Sequence, residues 1–178
     1  MNSFYSDNEL LELGLKSFGK NVLISRKASL YSPEKINIGD NVRIDDFCIL
    51  SGQITLGSFI HISAFSAIYG AYGVEIRDFS GLSPRCTIFS AMDDFSGEYL
   101  VNPMVEKSKT KVVGGKVLLD KFVQVGSGSV IFPSLTIEEG VVIGAMSLVK
   151  NSLSSWGIYV GIPVRRIKER SKNLLTRL

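Results

Sequence analysis

The chain has 178 residues, of which 45% are hydrophobic, and a formal net charge of +3. This length and composition predict a single domain (residues 1–178), and no apolar run reaches the roughly 18 residues of a membrane span. The N-terminus has acidic and polar residues where a signal peptide would be basic and then apolar, so we expect a cytoplasmic protein.

The first residues predict a helical cap over residues 1–21. Ser6 and Glu9 have the spacing of a capping box, which opens a helix over NELLELGLKSFG, residues 8–19. A helix in this position would cover the first coil of a stacked repeat and protect its exposed strand edge.

A six-residue period follows over residues 22–154. A helix needs apolar residues at steps of three and four and a lone strand at steps of two, so a step of six predicts stacked coils of a parallel β-helix. The side chains of this period are all Ile, Leu or Val: Ile38, Ile44, Leu50, Leu56, Ile62, Ile68, Ile76, Leu82, Ile88, Leu119, Val125, Ile131, Ile137, Ile143 and Val149.

The position four residues after each of these is also apolar or small, which predicts a second inward column. Cys48 and Cys86 fall in it, two coils or roughly 10 Å apart if three hexads make one coil. That separation is beyond the reach of a disulfide, so we expect two reduced, buried thiols.

The period is interrupted by a long loop at residues 90–115. Coils have no structural use for such an excursion, and long loops on rigid scaffolds are commonly functional. A disordered surface insertion is the alternative.

The C-terminal segment, residues 155–178, is strongly basic. It reads as a solvated helix face, a nucleic-acid patch or a phosphate clamp, and the absence of interleaved aromatic residues argues against nucleic acid. Ile167, Leu174, Leu175 and Leu178 share a helical face, which predicts a short helix over the last coil.

The stretches INIGDNVRI, VQVGSGSVIFPSLTI, EEGVVIGAMSLVKN and YVGIPVRRIKE resemble the hexapeptide-repeat acyltransferases, in particular the branch that acetylates sugars. The resemblance implies an all-β fold, a left-handed parallel β-helix with short N- and C-terminal helices and one long inserted loop. It also implies a homotrimer, acetyl-CoA as donor, and active sites in the grooves between subunits.

The resemblance places CoA contacts at small residues of two turns and in the basic tail. Small side chains let backbone N–H groups reach the pantetheine amides, and the tail's cations suit the phosphates. Lys150 follows its inward Val149 by one residue instead of the family's two, which leaves its role open. The expected CoA-binding residues are Ser127, Gly144, Ala145, Lys150, Arg165 and Lys168.

The expected base departs from the family. Galactoside-type relatives carry a histidine at the position of Asp93, and aspartate is a poor proton acceptor at neutral pH unless burial strengthens it. His61, the only histidine, precedes the inward Ile62 and must therefore point outward, between Arg43 and Gly81 of the adjacent coils. We expect His61 to be the general base, with a histidine that only lines the trimer interface as the alternative.

In the expected mechanism, His61 takes a proton from a sugar hydroxyl or amine as that group attacks the thioester. A carboxylate from Asp93 or Asp94 fixes the imidazole or the sugar, and Glu98 and Tyr99 contact the acceptor. Alternatively, the apolar residues of this part of the loop only dock it on the neighbouring subunit. No metal is expected, since one histidine per chain does not make the three-histidine site of the carbonic anhydrases that share this fold.

The sequence therefore predicts an acetyl-CoA-dependent acetyltransferase whose acceptor is a free, nucleotide-linked or glycan sugar. The resemblance suggests surface-polysaccharide synthesis, such as that of lipopolysaccharide, as the setting. O- and N-acetylation stay open. The alternatives are a non-catalytic β-helical scaffold and an acetyltransferase for an antibiotic or an amino acid.

Overall fold

A computed structural model shows a parallel β-solenoid of about seven turns and describes residues 3–178. Met1 and Asn2, the first residues of the predicted cap, lie outside the described residues. The helical elements are α1 (Asp7–Glu12) and the 3₁₀ segments Pro33–Lys35, Lys107–Lys109 and Asn173–Arg177. The strands are β1 (Ser17–Phe18), β2 (Val22–Ile24), β3 (Ser29–Tyr31), β4 (Ile36–Ile38), β5 (Val42–Ile44), β6 (Ile49–Leu56), β7 (Ile60–Ile62), β8 (Ala67–Ile76), β9 (Gly81–Leu82), β10 (Thr87–Phe89), β11 (Ala91–Asp93), β12 (Val112–Gly114), β13 (Val117–Leu119), β14 (Gln124–Val125), β15 (Val130–Ile131), β16 (Thr136–Ile137), β17 (Val142–Ile143), β18 (Leu148–Val149), β19 (Gly157–Gly161) and β20 (Val164–Glu169).

The parallel strands stack into three faces. Face one contains β2, β5, β7, β9, β14, β17 and β19. Face two contains β3, the first halves of β6 and β8, and then β10, β15 and β18. Face three contains β1, β4, the second halves of β6 and β8, β13 and β16.

The predicted inward columns form the core. All fifteen aliphatic residues of the six-residue period are at most 3% exposed, and the second column is buried except at Tyr72 and Met92. This arrangement follows from strand geometry, because alternate side chains of each short strand point to opposite sides. The prediction of stacked coils is confirmed.

The turns from face one into face two form one edge of the prism, here called corner one: residues 45–48, 63–66, 83–86, 126–129 and 144–147. The inward residue that ends each turn hydrogen-bonds to the coil above it. Ser66 Oγ donates to the Ser83 carbonyl at 3.2 Å, and Ser129 Oγ donates to the Gly144 carbonyl at 3.0 Å. Small polar side chains therefore fix the shape of corner one from inside.

Both cysteines belong to this inward column. Cys48 Sγ lies 3.2 Å from the Ser63 carbonyl oxygen, and Cys86 Sγ lies 3.2 Å from that of Gly126. Both thiols are free and buried, as predicted, and burial raises the pKa of Cys48 to about 11. The cysteines fill the core and do not act as nucleophiles.

The loop at residues 90–115 leaves the solenoid between faces two and three, at the edge here called corner two. Its ends are closed by the antiparallel pair β11 and β12 and by a hydrogen bond from Gly115 N–H to the Ser90 carbonyl. The loop also contains the 3₁₀ segment Lys107–Lys109 and a bridge between Leu100 and Thr110. The structure thus gives the insertion a defined fold.

The N-terminal helix is shorter than predicted. The capping box forms, with the Ser6 N–H and hydroxyl both donating to the Glu9 carboxylate, but α1 ends at Glu12. Gly14 adopts a left-handed φ of 70°, which ends the helix, and Ser17–Phe18 already pairs with β4.

A short C-terminal helix is present as the 3₁₀ segment Asn173–Arg177, but the predicted helical face that covers the last coil does not form. Ile167 lies in β20, which pairs antiparallel with β19, and it is 56% exposed. Leu174 and Leu175 lie in a 3₁₀ segment that contains no buried residue. The physical reason is the unpaired edge of β19, because a returning strand satisfies its backbone groups and a helix would not.

Ser66 tests the role of the inward polar column. We expect Ser66→Ala to lower the free energy of unfolding by about 1–3 kcal/mol, because the Ser83 carbonyl and the Cys86 N–H both lose a buried partner. Urea unfolding would measure it. Ser66→Cys, which introduces the residue found one coil above and one coil below, should lower the free energy of unfolding less. Equal stability of wild type and Ser66→Ala would contradict this role.

Candidate active site

Corner one brings together the small residues predicted to bind CoA. Ser127 and Ala145 are exposed in adjacent coils, and Met146 N–H donates to the Ser127 carbonyl at 2.8 Å. Within residues 3–178 the backbone N–H groups of Ser127 and Ala145 have no hydrogen-bond partner. A Cβ on Gly126 would lie 2.5 Å from the Ala145 nitrogen, so glycine is needed there. Corner one thus presents two unpaired N–H groups, each of which can donate a hydrogen bond to an amide carbonyl of a ligand.

The basic tail reaches the same corner. On β20, Arg165 pairs with Val160, whose β19 neighbour Tyr159 accepts the N–H of Gly144. Lys168 pairs with Ile158, farther from the corner along the strand. Both cations are exposed, which suits contact with a phosphate group.

Lys150 lies elsewhere. It is exposed at the end of β18, where face two gives way to corner two. The whole width of face two separates it from Ala145, so one chain does not assemble Lys150 with the other predicted CoA residues.

The inserted loop builds two neighbouring cavities against the outer side of face two. They measure about 430 and 660 Å³ and share the lining residues Phe89, Ala91, Asp93 and Val112. The stacked rings of Tyr69 and Phe89, 5.3 Å apart, line the larger one together with Asn102 and Lys107 of the loop. The carboxylate of Asp93 has no hydrogen bond or ion pair within the described chain, so it is available to a ligand.

The other predicted loop residues do not line these cavities. Asp94 accepts the Ser96 N–H at 2.8 Å and pairs with Lys111 at 3.3 Å; these contacts, the Ser96 bond first, hold the pKa of Asp94 below its usual value. Tyr99 lies under the Lys111 ammonium, 5.0 Å from the ring centroid. Glu98 and Tyr99 are both exposed. Asp94 and Tyr99 therefore brace the loop, and of the predicted loop residues only Asp93 faces the cavities.

His61 points outward from face one, with Arg43 and Gly81 as its neighbours in the adjacent coils, as predicted. Its Nε2 lies 2.8 Å from Asp45 Oδ2, and its Nδ1 lies 3.5 Å from Ser63 Oγ. Arg43 Nε donates to the other oxygen of Asp45 at 2.7 Å. Burial pushes the pKa of Asp45 upward, but the hydrogen bonds from Arg43 and His61 outweigh it and leave that pKa lowered.

The carboxylate that orients His61 within one chain is thus Asp45, instead of the expected Asp93 or Asp94. Those two lie beyond face two, at the loop, whereas His61 lies on face one. Asp45 was missed although the period marks it: the residues that open the corner-one turns are Asp45, Ser63, Ser83, Gly126 and Gly144, all polar or small.

Among residues 3–178, no three His, Cys, Asp or Glu side chains are grouped closely enough to hold a metal ion. No helix in that range is long and apolar enough to cross a membrane.

Comparison with known proteins adds close relatives over nearly the whole chain, although no family model matches. A dTDP-4-amino-4,6-dideoxy-D-glucose acyltransferase of Escherichia coli is 43% identical, and the match covers 97% of this chain and 92% of the relative. AntD, an N-acyltransferase from Bacillus cereus, was crystallised with dTDP and 3-hydroxybutyryl-CoA; it is 53% identical, with a TM-score of 0.97 over 99% of this chain and 95% of AntD. A hexapeptide-repeat acetyltransferase from Vibrio cholerae, 14% identical with a TM-score of 0.68 over 96% of this chain and 81% of its own, shares the fold.

The solenoid and its open corner define a hexapeptide-repeat acyltransferase. Its relatives narrow this further: the chain belongs to the family of dTDP-4-amino-4,6-dideoxyglucose acyltransferases. The expectation of a sugar acyltransferase is confirmed, and the alternative of a non-catalytic scaffold is not supported.

Proposed function

We propose that this enzyme transfers an acyl group from acyl-CoA to the 4-amino group of dTDP-4-amino-4,6-dideoxyglucose. The observation that carries the proposal is a variant of AntD, 53% identical to this chain over 99% of its length, crystallised with that sugar nucleotide and CoA. The sequence left O- and N-acylation open, and an amino sugar as acceptor favours N-acylation.

The reaction joins the amine to the acyl carbon. The nitrogen lone pair attacks the thioester carbonyl, the C–S bond breaks, and the nitrogen loses a proton, so that the products are an amide and CoA with a free thiol. A neutral amine is a better nucleophile than a hydroxyl group, so it needs less help from a base. Positioning of the two substrates is then the larger part of catalysis.

Ser83 and Asp93 are the first candidates for the acceptor site. Crystallised AntD variants carry substitutions at an aspartate and at a serine ten residues before it, with dTDP and CoA bound in the aspartate variant. In this chain, Ser83 and Asp93 are the one serine and aspartate pair with that spacing. The open carboxylate of Asp93 in the loop cavity fits a role in holding the amino group.

We infer that the active unit is a homotrimer with the site between neighbouring chains. Ser83 opens a turn of corner one, whereas Asp93 follows β10 at corner two, so the width of face two separates them in one chain. A groove between chains would let corner one of one copy meet the loop of the next. The same groove would allow His61 and Asp93 to act in one site.

The residues of corner one also indicate in which direction acyl-CoA would lie along the solenoid. The unpaired N–H groups of Ser127 and Ala145 suit the pantetheine amides, and Arg165 and Lys168 near the end of the solenoid suit the phosphates. The thioester would then lie toward Ser83. A Cβ on Gly144 would lie 2.5 Å from the Val160 side chain, so stacking of the next coil requires a glycine there. Lys150 has no place in this arrangement.

The need for acyl-CoA supports work in the cytoplasm, where that donor is made. An acylated, nucleotide-linked deoxyamino sugar is an activated building block, which supports surface-polysaccharide assembly as the setting.

The proposal predicts a specific product. The purified enzyme should convert dTDP-4-amino-4,6-dideoxyglucose with acetyl-CoA or 3-hydroxybutyryl-CoA into the corresponding amide, detected by mass spectrometry, with one free CoA thiol released per amide. The 4-hydroxyl analogue, which lacks the amine, should give no product. Equal acylation of that analogue would contradict N-acylation.

Arg165 and Lys168 predict dependence on the 3′-phosphate of CoA. At 100 times its dissociation constant a ligand adds about 2.7 kcal/mol to stability, which a thermal shift detects easily. We expect dephospho-CoA to give a smaller shift than CoA in the wild type, and Arg165→Gln to remove the difference. An unchanged difference in Arg165→Gln and Lys168→Gln would refute the clamp.

The two candidates for the proton acceptor require different variants. If His61 is the base, His61→Gln should lower kcat by roughly 10² to 10⁴ with unchanged CoA affinity, the range for loss of a general base. Asp93→Asn should act mainly on the KM for the amino sugar. Near-normal kcat in His61→Gln would leave that histidine as an interface residue and support direct attack by the amine.

A mixing experiment tests the shared site. His61→Gln and Asp93→Asn chains, unfolded and refolded together, should regain part of the wild-type activity if the two residues come from different chains. The assay uses a low concentration of the amino sugar, at which the raised KM of Asp93→Asn also lowers the rate. Refolding each variant alone is the control. No gain in the mixture would place both residues in one chain's site or outside it.

A further inference from the structure

A column of stacked rings on corner one ends in a cation at each end. The column consists of Lys27, in the turn at residues 25–28 directly below the first turn of corner one, and of Phe47, Phe65 and Arg85 in the next three coils. The two rings are stacked with centroids 4.9 Å apart. Lys27 Nζ lies 5.5 Å from the Phe47 centroid, and Arg85 Cζ lies 5.8 Å from the Phe65 centroid.

The two cations differ in how their charge is matched. Lys27 pairs with Asp46 at 3.1 Å, and nearby Arg43 pairs with Asp45 at 2.7 Å. Arg85 has no carboxylate partner in the part of the chain that the structure describes. Lys27 and Arg43 are therefore each neutralised by a carboxylate, whereas Arg85 carries an unmatched positive charge.

Arg85 shares its turn with Ser83. The turn is held below by the Arg85 N–H, which donates to the Ala64 carbonyl at 3.1 Å, and above by the Gly128 N–H, which donates to the Pro84 carbonyl at 3.0 Å. Stacking on Phe65 occupies one face of the guanidinium and leaves its N–H edge exposed. A rigid turn thus presents a planar, charged fork beside the proposed acceptor site.

We propose that Arg85 binds the diphosphate of the sugar nucleotide, which rests on the proposed function. A guanidinium matches phosphate oxygens with two parallel hydrogen bonds, and stacking preorganises it. The phosphates of CoA are less suitable partners for Arg85. The tail cations lie about three coils above Arg85, or roughly 14 Å, so the phosphates of CoA would be at the opposite end of the corner.

Arg85→Gln tests the assignment, since glutamine keeps a long side chain at this left-handed position. Isothermal titration should show dTDP binding about 10- to 100-fold more weakly than to the wild type, with binding of thymidine and CoA unchanged. Arg85→Lys should recover part of the loss. The matched control is Lys27→Gln, which removes the cation at the other end of the column and should leave dTDP affinity within about twofold.

The outcomes separate the two levels of the proposal. Wild-type protein that fails to bind dTDP would overturn the proposed function. Wild type that binds dTDP while Arg85→Gln binds it equally would overturn only the role of Arg85. An equal loss for thymidine, CoA and dTDP, or an equal loss in Lys27→Gln, would mean that the column is structural and would also overturn it.

Discussion

The hydrogen bond from each inward residue of corner one to the coil above it is the interaction on which the site depends. Ser66 and Ser129 tie the turns that begin at Ser83 and Gly144, and the cysteines occupy the same column. Because these bonds are buried, a turn cannot shift without losing one. Every outward group on that edge therefore stands at a fixed height along the axis, in steps of one coil.

The same rigidity explains why the inserted loop lies at corner two. Strand β8 runs without interruption through corner two, and it pairs with β10 on one side of the loop and with β13 on the other. The loop at residues 90–115 therefore leaves both registers intact. A change in the loop alone can therefore alter the cavity between the loop and face two, while the turns of corner one keep their geometry.

Repetition decides what the sequence could predict. The period of six predicted the core, the buried cysteines and the outward direction of His61, because each follows from strand alternation and stacking. Asp45 was within reach of the same logic, as the residue that opens the turn. The cavity around Asp93 was not, since the loop folds by its own contacts, such as Lys111 with Asp94 and Tyr99. The strand β20 was mistaken for a helix because so short a segment fits both periods.

Two different ligands that meet on corner one need different side chains on the two sides of their meeting point. Above Ser83 the corner is lined by Gly126, Ala145 and the unpaired N–H groups of Ser127 and Ala145, which suit a thin pantetheine arm. Below Ser83 it carries Phe65, Phe47 and charged side chains, which suit a bulkier, charged partner. The change occurs at a single turn, which is where the thioester and the amine meet in the proposed arrangement. In that arrangement the order of the coils aligns the two substrates, and a nucleophile as strong as an amine requires little more than that alignment.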